Sequence, residues 1–303
     1  MNQKGKLLIS IVGPTGIGKT RLAIQIAQYL QTEIVSCDAR QFFREMPIGT
    51  AMPDDDELAA APHHFIANLS IQDEYSIGKY EKDALEKLEV LFQKHNAVVL
   101  VGGSGMYEKA VVEGLDRLPE AQQIHIRKLE ELLEKEGLTK LQQLLKEADP
   151  EYFKKADIEN PRRLFRALDI YWQTGKPYSH FLNSLKPKRD FKILRIGIDA
   201  PRDVLYQRIN QRVDIMMDKG LLEEVKKLFT FRKKRALQTV GYTELFKYIA
   251  GEWTLDFAVE EIKKNTRRYA KRQLTWYRKS ENIHYLPLGY TQYDLELLLA
   301  QEM

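Results

Sequence analysis

Residues 13–20 of the chain read GPTGIGKT. Glycines at that spacing let successive backbone N–H groups turn inward as a nest for phosphate oxygens. Lys19 adds a full positive charge, and the Thr20 hydroxyl is of the type that ligates Mg²⁺. The apolar stretch KLLISIV precedes the octapeptide and the amphipathic RLAIQIAQYL follows it. The loop therefore leaves a strand and opens a helix, whose N-terminus favours anions. Gly13, Pro14, Thr15, Gly16, Ile17, Gly18, Lys19 and Thr20 form a phosphate-binding loop. Such a loop specifies a phosphate chain, and leaves open whether the compound is a nucleoside triphosphate.

A kinase or ATPase of this class places a second acid at the end of a neighbouring strand to hold Mg²⁺. Here the apolar run NAVVLV ends in GGSG instead. Asp38, in SCDARQFFREMPIGTAMP, is the carboxylate that strand topology brings near the loop. From its type and place it could be a general base, a metal ligand or a helix N-cap. Arg40 and Gln41 are residue types that read bases, although surface loops also carry them. His63 and His64 have no nearby third ligand, so no metal pair is expected there.

The elements that must hold these residues follow from periodicity. KLLISIV, TEIVSCD, NAVVLV, FKILRIGID and IHYLPL read as strands. YEKDALEKLEVLFQKH repeats its apolar residues at helical spacing. Strands alternating with helices predict an α/β fold, a P-loop NTPase-like parallel sheet flanked by helices. From Leu115 to Leu185 no strand signal occurs, and leucines recur at helical spacings. NPRRLFRALDIYWQTGK reads as a helix ending at Gly175. The expected division is a catalytic core, residues 1–114 and 190–303, with an all-helical insertion domain at 115–189. Long helices are expected from Asp203 to Phe231 and from Thr254 to Lys279.

Composition narrows the class. The chain has 303 residues, 44% hydrophobic and 30% charged, as a globular protein does. No run of eighteen apolar residues occurs, so no membrane partner is expected, and a cytoplasmic location is the default. One cysteine, Cys37, excludes an internal disulfide framework. Residues 201–280 hold 19 Lys and Arg against 10 Asp and Glu, an excess of nine positive charges in a chain of net charge +4. The rest of the chain therefore carries a net charge of about −5. Lys264, Arg267, Arg268 and Lys271 recur at helical spacing as a basic stripe. Such a stripe suits a polyanion or is simply a solvated face.

GPTGIGKT, SCDARQFFREMPIGTAMP, PHHFI, YSIGKYEKDA, VLVGGSGMY, NPRRLFRAL, QRINQRVDIMMDKGLLEEV, TVGYTEL and TRRYAKRQLTWYRK occur in that order. Over residues 6–280 the chain resembles the bacterial tRNA dimethylallyltransferases, or tRNA isopentenyltransferases. That resemblance implies transfer of the dimethylallyl group of dimethylallyl diphosphate to N6 of an adenosine. The adenosine lies 3′ of the anticodon in tRNAs that read codons beginning with U, and diphosphate leaves. The loop would then hold a leaving diphosphate, which accounts for the missing second acid.

By the same resemblance Asp38 is the catalytic base. Thr15, Lys19, Thr20 and Arg212 contact the diphosphate, with Mg²⁺ assisting, and Thr15 and Arg212 join Asp38 in the catalytic set. The implied tRNA contacts are Asp38, Ala39, Arg40, Gln41, Ser104, Arg162, Arg163, Arg166, Gln238, Gly241, Tyr242, Arg268, Lys271 and Arg272. Ser104 stands where the family commonly has Thr and Ala39 where it typically has Ser, which removes one hydroxyl from the tRNA side. The partners expected are a tRNA anticodon stem-loop and dimethylallyl diphosphate, bound by a monomer. Competing readings are a transferase acting on free AMP or ADP, an ATP-dependent nucleotide kinase, and a non-catalytic RNA-binding protein.

Overall fold

The computed structural model describes residues 5–182, 187–280 and 282–302. Leu185, the expected end of the strand-free stretch, lies outside them. Backbone contacts divide the chain into two compact units, Met1–Val112 with Arg189–Met303, and Glu113–Lys188.

The first unit begins with β1 (Leu7–Val12), α1 (Lys19–Leu30), β2 (Ile34–Ser36), α2 (Asp55–Ala60) and β3 (His63–His64). It continues through α3 (Ile77–Leu91), β4 (Ala97–Val101) and α4 (Gly105–Glu113). The second unit consists of α5 (Gln123–Ala148), α6 (Pro150–Lys155), α7 (Pro161–Thr174) and a short 3₁₀ turn. The chain returns through β5 (Lys192–Asp199), α8 (Arg202–Asp218), α9 (Leu221–Leu228) and α10 (Tyr242–Ile249). It closes with α11 (Leu255–Tyr277), β6 (Ile283–Pro287) and α12 (Gln292–Glu302).

The six strands form one wholly parallel sheet in the order β3-β2-β4-β1-β5-β6. β1 and β4 are buried at every residue, which is why both read as unbroken apolar runs. One face packs Ile9, Ile11, Val99 and Ile196 with Leu22 and Ile26 of α1 and Ile209 of α8. The other packs Leu8, Val35, Val98 and Leu100 against Tyr80, Ala84 and Leu88 of α3. Ser10 is the buried polar residue of β1, and its hydroxyl donates to Glu108 Oε1 at 3.1 Å.

Two elements differ from expectation. β3 is two residues long, too short to give an alternation signal. The helix expected from Asp203 to Phe231 breaks at Gly220, which adopts φ 95° between α8 and α9. A left-handed glycine ends a helix without the Cβ penalty other residues meet. In the second unit, α5 kinks at Gly137, with φ 75° and ψ −178°.

That second unit has its own core of Leu129, Leu141, Leu145, Leu164 and Leu168. α7 is framed as its sequence predicts: Asn160 caps the N-terminus, Pro161 occupies the first turn and Gly175 ends it at φ 67°. Asp169 is fully buried and accepts from His125, Gln173 and Arg166 and from the Gln122 backbone N–H. A buried carboxylate needs that many donors to offset its desolvation.

Candidate active site

All the strands are parallel, so their carboxyl ends emerge on one edge. Ile11 of β1 and Ser36 of β2 both stand level with Val101 of β4. The chain leaving each strand therefore enters the same space. β1 and β2 flank β4, so two strand spacings of about 4.8 Å, or about 10 Å, separate their exits. Long side chains close that gap. The result is a cleft of about 300 Å³, lined by Thr15, Gly16, Gly18, Lys19 and Thr20 from the loop and by Asp38, Gly103, Arg212 and Gln273 facing it.

Gly13, Gly16 and Gly18 adopt φ 134°, 80° and 109°. Those angles are accessible to glycine at little cost, and they turn the loop around an empty centre. Gly18 precedes α1 and leaves its first turn with no side-chain cap. The unpaired N–H groups there are a ready anion site. The Lys19 Nζ donates to the Pro14 carbonyl at 2.8 Å. Its pKa is lowered to about 8: burial is the main cause, Asp38 pulls the other way and Arg212 adds to the lowering. Burial also lowers the pKa of Arg212, against the pull of Asp38 and Glu57. Two cations packed into a half-dry cleft are unstable alone and become favourable once a multiply charged anion enters.

Asp38 is held by backbone. Its Oδ1 accepts from the Arg40 N–H at 3.0 Å and its Oδ2 from the Gly103 N–H at 3.1 Å. Each oxygen keeps a further lone pair for a proton in the cleft. The glycines after β4 make this possible. A Cβ on Gly102 would lie 2.5 Å from the Cys37 carbonyl carbon, and one on Gly103 would lie 2.8 Å from Asp38 Oδ2. The position where a nucleotide kinase keeps its second acid is thus given to close approach between two loops. Ser104 Oγ accepts from the Ala39 N–H at 3.0 Å, which pins the loop beyond Asp38.

Several cleft residues were not legible beforehand. Gln273 of α11 is buried, accepts from the Thr15 N–H at 2.9 Å and donates to the Gly103 carbonyl at 2.6 Å. One side chain thereby joins the phosphate loop to the loop that orients Asp38. Tyr269, one turn earlier, donates to the same Gly103 carbonyl at 3.0 Å. Burial, followed by the charge of Asp38, pushes its pKa up to about 12, so it stays a donor. Arg208 reaches the Ile17 carbonyl at 3.4 Å and lines the cleft one turn before Arg212. The i, i+4 spacing in QRINQR was the available signal for Arg208. Nothing local marked Gln273.

The residues expected to meet tRNA divide into two groups. Arg162 and Arg163 on α7, and Arg268, Lys271 and Arg272 on α11, are exposed. Others are spent internally. Arg40 donates to the carbonyls of Arg235 at 3.1 Å, Ala236 at 2.8 Å and Gln238 at 3.4 Å. Gln41 donates to the carbonyls of Thr50 and Ala51, and Gln238 to that of Arg232. Arg166 bonds Asp169 and the Pro119 carbonyl.

Gly241 and Tyr242 are buried, and the Tyr242 hydroxyl donates to Glu224 Oε1 at 2.6 Å. The other bonds of Glu224 explain that burial, since it also accepts from the N–H groups of Ile48 and Gly49. Tyr242 is therefore a core residue that presents no side-chain surface to a partner. The basic stripe on α11 is narrower than expected, because Arg267 donates to Asn210 of α8 and Lys264 pairs with Glu261.

A parallel α/β sheet with a phosphate loop, a backbone-held aspartate and two half-buried cations lining one cleft defines a transferase of phosphorylated substrates. The family model described as IPP transferase matches residues 41–280. The tRNA dimethylallyltransferase of Christiangramia forsetii is 55% identical over 91% of this chain and 91% of its own length. That of Flavobacterium johnsoniae is 52% identical over 91% of this chain and 92% of its own. Among solved structures, the tRNA isopentenylpyrophosphate transferase of Bacillus halodurans superposes with a TM-score of 0.70 at 33% identity, covering 98% of this chain and 95% of that one. A eukaryotic dimethylallyltransferase acting on tRNA superposes with a TM-score of 0.83 at 26% identity, covering 98% and 79%. The chain belongs to the IPP transferase family and is an enzyme of the transferase class.

Proposed function

We propose that the protein transfers the dimethylallyl group of dimethylallyl diphosphate to N6 of the adenosine 3′ of the anticodon, in tRNAs reading codons that begin with U. The observation that carries this reading is Asp38 held across the cleft from Lys19 and Arg212. An exocyclic adenine amine is a weak nucleophile, because its lone pair is delocalised into the ring. As the bond from N6 to C1 of the prenyl group forms, the C1–O bond breaks and diphosphate leaves with the electron pair. The proton lost from N6 passes to an Asp38 oxygen. Lys19, Arg212 and the loop N–H groups stabilise the charge gathering on the leaving diphosphate, so they act on the transition state.

The Thr15 and Thr20 hydroxyls line the same space and make no hydrogen bond among the described residues. Asp38 and Glu57 are the carboxylates lining the cleft, and no group of three or more His, Cys, Asp or Glu among the described residues could hold a metal unaided. That donor set fits a Mg²⁺ held by Thr20, substrate phosphate and water, where the ion would neutralise diphosphate charge. The target base must leave the anticodon stack to reach the cleft, as in other base-modifying enzymes. The helical unit Glu113–Lys188, with Arg162 and Arg163 exposed on α7, is assigned to tRNA binding, and the protein acts as a monomer. No helix among the described residues is long and apolar enough to cross a membrane, and a tRNA substrate suits a cytoplasmic enzyme.

The test is incubation with labelled dimethylallyl diphosphate and, in parallel, tRNA, AMP or ADP. Label in tRNA at the adenosine 3′ of the anticodon is the expected result. Label only in free AMP or ADP would replace the reading with a nucleotide prenyltransferase. No label in any acceptor would sink it.

A further inference from the structure

Between α9 and α10 the chain runs through Phe231-Arg232-Lys233-Lys234-Arg235, all five residues exposed. None of the four cations forms an ion pair among the described residues. Arg232 lies over the Phe229 ring at 4.5 Å and donates to the Phe229 carbonyl. The Lys233 and Lys234 side chains make no hydrogen bond, ion pair or ring contact among the described residues. Four adjacent unpaired cations repel one another, so their field favours a polyanion.

This segment is also firmly built. Gln238 Nε2 donates to the Arg232 carbonyl and closes it into a loop. Ala236 and Leu237 are buried beneath it. The half-buried Arg40 guanidinium donates to the carbonyls of Arg235, Ala236 and Gln238. The Arg40 backbone N–H in turn bonds Asp38. Arg235 is close enough to oppose protonation of Arg40 and to favour ionisation of Tyr107. The basic run is therefore fastened, through one arginine, two residues from the carboxylate assigned as the base.

We propose that residues 232–235 form a phosphate-binding strap for the RNA backbone beside the target adenosine, with Lys233 and Lys234 its free contacts. The proposal rests on the tRNA reading above and extends it to a surface at the mouth of the cleft. Phosphates nearest the modified base belong to the anticodon loop, which is single-stranded. Each such phosphate neutralised contributes about 0.7 to the slope of log affinity against log salt.

The test compares wild type with Lys233→Ala/Lys234→Ala, using an anticodon stem-loop RNA and binding measured from ~0.05 to ~0.3 M salt. Two lost contacts should reduce the slope by about 1.4 and raise Kd roughly tenfold at ~0.15 M salt. Binding of dimethylallyl diphosphate should be unchanged. A Lys233→Arg/Lys234→Arg variant should keep the wild-type slope. Lys94→Ala/Lys192→Ala controls for net charge, since both lysines are exposed at the opposite, amino-terminal edge of the sheet. A slope that falls equally in that control, or does not fall in the strap variant, overturns the proposal. Failure of the tRNA reading would show separately, as no labelled tRNA with wild type.

Discussion

Lys19 gives the reading a quantitative handle. In the free protein its ammonium has a pKa of about 8, with burial as the main cause and Arg212 adding to it. A bound diphosphate brings several negative charges against that group and lifts its pKa well above 9. Binding therefore takes up a proton in the window above pH 8, and affinity falls as pH rises. With a free-state pKa of about 8, Lys19 is about 90% charged at pH 7 and about 10% charged at pH 9. Dimethylallyl diphosphate should thus bind about tenfold more weakly at pH 9 than at pH 7, or by about 1.4 kcal/mol. The ligand's own ionisations lie near pH 6 and contribute little there. Titration calorimetry at fixed Mg²⁺, in buffers of different ionisation enthalpy, should show about half a proton taken up at pH 8 and nearly one at pH 9.

Lys19→Arg keeps its charge throughout this range and should bind with no such fall. The same shift acts on folding with the opposite sense. The unfolded lysine holds its proton up to about pH 10.5, so Lys19 disfavours the empty fold below pH 8, and this penalty is relieved as pH rises from 8 to 10.5. Affinity that is flat from pH 7 to 9, or an equal fall in Lys19→Arg, would refute the reasoning.

Four further outcomes follow from the geometry. Asp38→Asn should bind both substrates and lose turnover by about 10²–10⁴-fold in single-turnover assays, and near-normal turnover would remove Asp38 as the base. Gly103→Ala puts a methyl 2.8 Å from Asp38 Oδ2, so kcat should drop about a hundredfold while dimethylallyl diphosphate Kd holds; unchanged kcat would mean that the approach is not needed. Gln273→Met strands the Thr15 N–H, whereas the Gly103 carbonyl keeps Tyr269. Denaturant unfolding should register a loss of about 2 kcal/mol and ligand titration a weaker diphosphate site. Tyr242→Phe should cost about 1–2 kcal/mol of stability and leave RNA affinity intact, an outcome that a direct contact to tRNA would not allow.

Much of the phosphate half of the site was legible because its determinants are local. The loop needs glycines at particular backbone angles and a helix start directly after them, and those are contiguous in GPTGIGKT. The buried parallel strands were legible for a similar reason, since burial on both faces leaves an unbroken apolar run. β3 was not, because two residues cannot express a period. The turn at Gly220 has a local signal, its glycine, but the helical spacing on both sides continues across it.

Contacts between distant segments carried no such signal. Arg40 and Gln41 looked like base readers, yet their donors meet carbonyls at Arg235–Gln238 and Thr50–Ala51. The resemblance implied a tRNA contact for Tyr242, whose side chain is a buried donor to Glu224. A side chain's type states what it can bond, and only the packed chain determines which partner is nearest.

The sequence by itself determined a phosphate cradle on a parallel α/β sheet, a carboxylate at a strand's end and a basic C-terminal region. Family motifs added the substrate expected there. Tertiary structure decided how those parts meet. It placed Gly103 against Asp38 across 65 residues and Gln273 against Thr15 across 258. It also clipped the basic strap to the aspartate loop through Arg40, 195 residues away. Those pairings follow from strand order and register, which depend on how whole faces bury together and not on any short stretch of residues.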